Sequence, residues 1–322
     1  MDSLFYAIDD LKILENQRLR KCTRFQLGGP ARWTVDASSP GAFTKACAAA
    51  RRSRFPWLTL GGGSNLIVSD AGFNGIVLRY RAASISMEQG EIAVDAGADL
   101  QGLVDFSIEQ SLDGLHTLNR IPGWVGGAIY GNAGAYGHSL MEFVTQVRFL
   151  DGDRIRVFDN AECGFDYRES IFKRNKDWVI LDARLRVPPG DGAAIRQRAA
   201  EIAGVRDAKF PPTLRCAGSI FKNCILARLP THVAEAVPAG VVIEGKVPSA
   251  WFLEQVGAKG MRRGEIQVAD YHANLLYNDA APGVEARAAD ARALIGELKD
   301  RVRERFGLQL EEEVQYVGFG PE

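Results

Sequence analysis

The sequence predicts an α+β fold spread over more than one domain, and three observations carry that reading. Short strand-like runs alternate with helix-like ones through the first half, Asp151-Gly152 joins two β-rich segments as a hairpin, and a long amphipathic helix precedes a final strand. At 322 residues the chain exceeds one ordinary core, so two or three domains are expected.

Taken in order, GAFTKACAAARRS at 41–53 reads as a helix, and PWLTL and GIVLRY as strands. From 91, EIAVDAG is a strand and DLQGLVDFSIEQS a helix with Leu100, Leu103, Val104 and Ile108 near one face. VTQVRFLDGDRIRVFD then forms the hairpin. In WVILDARLRV, Leu181, Ala183, Leu185 and Val187 alternate with Asp182, Arg184 and Arg186, the pattern of a strand with one buried face. AAIRQRAAEIAGVRD reads as a helix, and a domain junction is expected near 205–212. The segment VEARAADARALIGELKDRVRERF carries Ala288, Ala291, Leu294, Ile295, Leu298, Val302 and Phe306 on one stripe, and EEEVQYVGF closes as a strand.

Composition narrows the function classes. A formal net charge of -1 gives no general attraction for nucleic acid or an anionic membrane, so an anionic ligand must be met by placed residues. Five cysteines without a CxxC pair suggest neither a disulfide framework nor a zinc site, and reduced thiols are expected. The opening MDSLFYAIDDLKILENQ carries acids at 2, 9 and 10, unlike a secretory signal, and a cytoplasmic protein is expected.

Two glycine-rich segments are candidates for a nucleotide. In LGGGSNLIVSD, Gly61, Gly62 and Gly63 follow a strand and expose backbone N–H groups, and Ser64 and Asn65 add side-chain hydrogen-bonding groups, which suits a diphosphate or simply a structural loop. Neither a G-x-G-x-x-G nor a G-x-x-x-x-G-K-[ST] pattern is present. RIPGWVGGAIYGNAGAYG holds six glycines and almost no charge, so a flat ring can lie against its backbone, although a buried turn fits the same composition.

Other candidates stand alone. FDYRESIFK is expected to bring Tyr167, Arg168 and Lys173 near each other around a turn, where Arg168 can clamp a carboxylate or form an ordinary ion pair. Ser219, in RCAGSIFKN, lacks a G-x-S-x-G elbow, and the four histidines show no triad pattern, which argues against a hydrolase. It reads as a turn serine or as a proton donor tuned by Lys209 and Lys222. Glu313 lies in a run of three acids that reads as a solvated strand edge, and His272 and Asn274 share a strand face, a pattern that suits a structural pair.

Seven blocks in order, FQLGGPA, LGGGSNLIVSD, IPGWVGGAIYGNAGAYG, FDYRESIFK, AGSIFKN, HANLLYN and LEEEVQYVG, resemble the UDP-N-acetylenolpyruvoylglucosamine reductase family from about Thr23 to Gly318. The resemblance implies a vanillyl-alcohol-oxidase-like FAD-binding fold with a C-terminal α+β substrate domain: 1–76 with 307–322, 77–208, and 209–306. It implies bound FAD, NADPH as hydride donor and UDP-N-acetylglucosamine enolpyruvate as substrate; a monomer is expected. FAD would be held by the 61–65 residues above with Ile121, Pro122, Gly123, Gly126, Gly127, Asn132 and Gly134. Ser219 matches the family's proton donor, Arg168 and Glu313 the pair that polarises the enolpyruvyl carboxylate, and Lys209, Lys222, Asn223, His272 and Asn274 substrate contacts. The rivals are an FAD oxidase of the same fold and a non-catalytic nucleotide-sugar or flavin-binding protein.

Five positions depart from the family pattern. Trp124 replaces a small residue and Gly131 a methionine, both at the flavin pocket, while Cys22 replaces a frequent asparagine, Cys224 a proline, and Glu312 the proline common before the catalytic glutamate. The inserted loop that carries a capping tyrosine in one subclass is missing between Arg168 and Ser219.

Overall fold

A computed structural model describes residues 5–320; Asp2 and the first and last few positions of the expected domain bounds lie outside the described residues. The chain divides into two compact units. One comprises the residues up to Gln17 with Ala31–Gly63 and Asn74–Ala208, and the other Arg18–Pro30, Ser64–Phe73 and everything from Lys209 onward.

The first unit holds two sheets. A four-stranded sheet runs in the order Leu11–Glu15, Ala31–Ala37, Phe73–Tyr80, Trp57–Thr59, and an antiparallel five-stranded sheet in the order Arg154–Asp159, Val144–Asp151, Val179–Leu185, Glu91–Asp95, Ile85–Glu88. The Pro40–Arg52 helix starts where the sequence places it, with proline in its first turn and Ser39 Oγ accepting from Ala42 N. Its buried Phe43, Ala46 and Ala50 join one core with Val35, Leu78, Leu103, Phe149 and Leu185. The hairpin at Asp151 and the alternation through Leu185 are as expected, because both are local patterns that burial of one sheet face enforces.

The second unit pairs Cys216–Ser219, His272–Asn278, Ile266–Ala269 and Arg262–Arg263 as an antiparallel sheet. The Ala288–Phe306 helix buries Ala288, Ala291, Leu294, Ile295, Leu298 and Val302 in one core with Phe25, Leu27, Ile67 and Phe252. The helix begins later than the periodicity suggested, after Pro282 and Gly283. The strand Leu66–Val68 runs parallel to Gln315–Val317, and a strand is formed over only those three residues of the expected C-terminal run. That pairing and the shared core put residues 18–30, 64–73 and the segment from 209 in a single unit.

Candidate active site

In the first unit the Trp57–Thr59 strand gives way to a glycine loop. Leu60 N still donates to Leu78 O at 2.9 Å; among the described residues, the N–H groups of Gly61, Gly62 and Gly63 donate to no protein acceptor. A Cβ on Gly62 would lie 2.9 Å from Gly123 Cα and 3.2 Å from Trp124 Cδ1. The two glycine segments therefore meet backbone to backbone, an approach that any side chain would prevent. Adjacent amide donors in such a cradle suit the oxygens of a diphosphate.

The rest of the second segment divides between packing and open space. Gly126 is pressed on Ala96, where an added Cβ would stand 2.9 Å from the alanine methyl, whereas one on Gly127 would meet nothing within 4 Å. Ile121 packs on the core, and Pro122 is half-buried. Asn132 is buried and its amide is engaged within the protein, Nδ2 donating to Asp166 O at 2.9 Å and Oδ1 accepting from Met141 N at 3.1 Å.

Asn132 thereby ties the glycine run to the turn that presents Arg168. Asp166 and Glu169 exchange backbone hydrogen bonds, and Arg168 between them adopts a left-handed φ of 58°. A non-glycine residue there costs about 1 kcal/mol, which the surrounding bonds offset. Arg168 Nη2 donates to Gly134 O at 2.9 Å, and Lys173 Nζ donates to Arg168 O at 2.8 Å. The expected proximity of Tyr167, Arg168 and Lys173 around a turn is thus present, with the guanidinium 5.3 Å from the Tyr167 ring.

In the second unit Ser219 ends the Cys216–Ser219 strand opposite Leu275. The residues after it are gripped from two sides. Asn274 Oδ1 accepts from Phe221 N at 2.9 Å and its Nδ2 donates to Phe221 O at 2.8 Å, while Glu313 N donates to Ile220 O at 2.7 Å. Asn274, expected among the substrate contacts, is buried and has both ends of its amide on one backbone, which positions the Ser219 turn. Ser219 and Glu313 are thereby brought close, through the bond between their neighbouring backbones. Asn65 continues the same network, donating from Nδ2 to Glu313 O at 3.0 Å and accepting from Gln315 N at 3.0 Å.

The acidic run at 311–313 is only partly a solvated edge. Glu311 is exposed but pairs with the buried Lys222 ammonium, and Glu312 accepts from Lys299 Nζ at 2.6 Å. Sequence reasoning missed Glu311, Lys299 and Ser249; the last donates to Lys222 O, and its N–H to Asn223 Oδ1. Only the excess of acids hinted at partners, and those lie far along the chain. The Cys224 thiol is pushed up to about 11, chiefly by burial and slightly by Glu311.

His272 is edge-on to Phe210 at 6.0 Å between ring centroids, and Tyr271 Oη donates to Lys209 O at 3.2 Å. Its Nε2 is buried without a hydrogen-bond partner. Burial first, then the charges of Lys209 and Lys259, hold the imidazole down to about 4, so it is neutral at pH 7.

Comparison with known proteins follows the same outline. Residues 31–154 match the model of an FAD binding domain, and residues 210–317 that of the UDP-N-acetylenolpyruvoylglucosamine reductase C-terminal domain. The chain is 55% identical over 312 residues to a UDP-N-acetylenolpyruvoylglucosamine reductase of Solibacter usitatus, covering 97% of this chain and 99% of that protein. A protein of the same name from Syntrophus aciditrophicus is 34% identical, covering 95% and 92%. The crystal structure of the Thermus caldophilus UDP-N-acetylenolpyruvylglucosamine reductase superposes with a TM-score of 0.73 at 26% identity, covering 95% of this chain and 98% of that one.

Proposed function

The chain belongs to the UDP-N-acetylenolpyruvoylglucosamine reductase family, and from that membership we infer that it reduces UDP-N-acetylglucosamine enolpyruvate to UDP-N-acetylmuramate, a peptidoglycan precursor, using bound FAD and NADPH. The observation that carries the inference is the 55% identity sustained over 97% of the chain.

The glycine cradle fits the cofactor. Gly61, Gly62, Gly63 and Gly123 would hold the diphosphate, and Gly127, with open space at its Cβ, the flavin. Ser64, Ile121, Pro122, Gly126 and Gly134 complete the proposed set, with Asn65 and Asn132 acting through the backbone they tie down. When bound, FAD accepts hydride from NADPH and supplies it to C3 of the enol ether.

The chain's own residues then manage charge and a proton. Addition at C3 leaves negative charge at C2 and in the adjoining carboxylate, and Arg168, held in its turn by Gly134 O, supplies the positive charge that stabilises it. Glu313 shares a proton with, or orients, that carboxylate. Ser219 donates its hydroxyl proton to C2 and recovers one from solvent; a serine acting as acid needs no histidine base. Lys209, Lys222, Asn223 and His272 are the proposed contacts of the UDP-sugar, with Asn274 fixing the turn that carries Ser219. We extend the proposal to the division 1–76 with 307–322, 77–208 and 209–306; the separate matches to 31–154 and 210–317 support its boundary near 208. A cytoplasmic location is proposed from the cysteine usage, and the protein is proposed to act as a monomer; among the described residues no helix is long and apolar enough to cross a membrane.

The test is anaerobic. The NADPH-reduced flavoprotein is mixed with UDP-N-acetylglucosamine enolpyruvate and the flavin absorbance followed. The wild type should reoxidise rapidly, and Ser219→Ala should be reduced normally but reoxidise about 10²–10⁴-fold more slowly. A wild type that stays reduced would overturn the reductase reading; unchanged reoxidation in the variant would remove Ser219 from it.

A further inference from the structure

Trp124 has the company of two arginines. Arg79 and Arg81 lie two residues apart at the end of the Phe73–Tyr80 strand, so they leave the sheet on one face, while Leu78 and Tyr80 enter the core on the other. Both guanidinium groups lie over the Trp124 indole, at 5.1 Å and 4.8 Å from its centroid. The same indole borders the glycine loop, within 3.9 Å of a Cβ placed on Gly61 and 3.2 Å of one on Gly62.

The charge around this platform is positive. Arg79 has Asp36 at 3.8 Å, and Arg81 forms no ion pair among the described residues. Two cations and one carboxylate thus gather at the indole that borders the loop of Gly61, Gly62 and Gly63. A guanidinium held over an indole retains several N–H groups to offer a phosphate in a planar fork, which an ammonium lacks.

We propose that Arg79 and Arg81, aligned on Trp124, are the charged receptor for the diphosphate of the flavin dinucleotide, completing the amide cradle of Gly61, Gly62 and Gly63. The proposal rests on the FAD reading above. It makes Trp124 a support for the cofactor site rather than an obstruction in it.

The test uses flavin-free protein titrated with FAD and with riboflavin, which has the same ring and no phosphate, followed by quenching of flavin fluorescence. Arg81→Gln alters an exposed side chain and should weaken FAD roughly tenfold, the scale of one charge-assisted hydrogen bond. Arg79→Gln and Trp124→Ala should do at least as much, Trp124→Phe should restore most of the affinity, and riboflavin binding should be unchanged throughout. The dependence of FAD affinity on salt should also be shallower in Arg81→Gln. Wild-type affinity for FAD in both arginine variants, or an equal loss of riboflavin binding, overturns the proposal. Failure of the wild type to bind FAD at all overturns the cofactor reading and this inference together, so the two failures are distinguishable.

Discussion

Lowering the pH from 7 to 5 should destabilise the protein through His272. Its imidazole titrates at about 4 in the folded chain, against an ordinary value of 6.5. Between those values the unfolded state binds a proton that the folded state refuses, so the contribution is complete above the ordinary value and is lost as the pH falls toward 4. At 1.36 kcal/mol per pKa unit the full window is about 3 kcal/mol, of which about 2 kcal/mol falls between pH 7 and pH 5. The structural origin is specific: Nε2 is buried without an acceptor, and Lys209 and Lys259 add like charge. Urea unfolding of wild type and His272→Gln at both pH values reads the difference, and NMR titration of the imidazole reads its cause. Equal loss of stability in the two proteins, or a His272 that titrates near 6.5, would refute the reasoning.

Two further outcomes follow from the second unit. Asn274→Leu leaves both Phe221 N–H and C=O without their buried partner and should cost about 2–4 kcal/mol in urea unfolding; a loss below about 0.5 kcal/mol would mean that the clamp is replaceable by water. The Glu312 N–H stands outside the ladder formed by Lys222 N to Glu311 O and Glu313 N to Ile220 O, so Glu312→Pro should fold with a loss of about 1 kcal/mol or less. Lys299→Met, which strands the half-buried Glu312 carboxylate, should cost more than Glu312→Pro, and the double variant should recover most of that difference; an additive double variant would show that the pair is not coupled.

What was legible in the sequence was what is local. The apolar stripe from Ala288 to Val302 and the alternation around Leu181, Ala183 and Leu185 are burial patterns that one element imposes on itself, and both are present. The turn that presents Arg168 was likewise visible, although not its left-handed backbone. What escaped notice joins distant positions. Nothing near Asn274 announces that its amide closes on Phe221, and nothing near residues 311–313 names Lys222 and Lys299 as their partners. The role of Trp124 needed the neighbouring strand: alone it reads as a bulky intrusion, and only Arg79 and Arg81 over its ring give it another meaning.

The bond from Asn65 to Glu313 spans 248 residues of sequence, and the parallel strands that flank it close the same interval. Loop-closure entropy grows only logarithmically with length, so the finished molecule loses little stability by this arrangement. The cost is in time. During synthesis, at roughly 5–20 residues per second, the strand Leu66–Val68 waits on the order of ten seconds or more for its partner. Until then its unpaired edge, together with Phe25, Leu27 and Ile67, is exposed to the crowded interior of the cell. The first unit has all its strands by residue 185 and can form while the second is still being made, leaving the nascent chain half built at that stage.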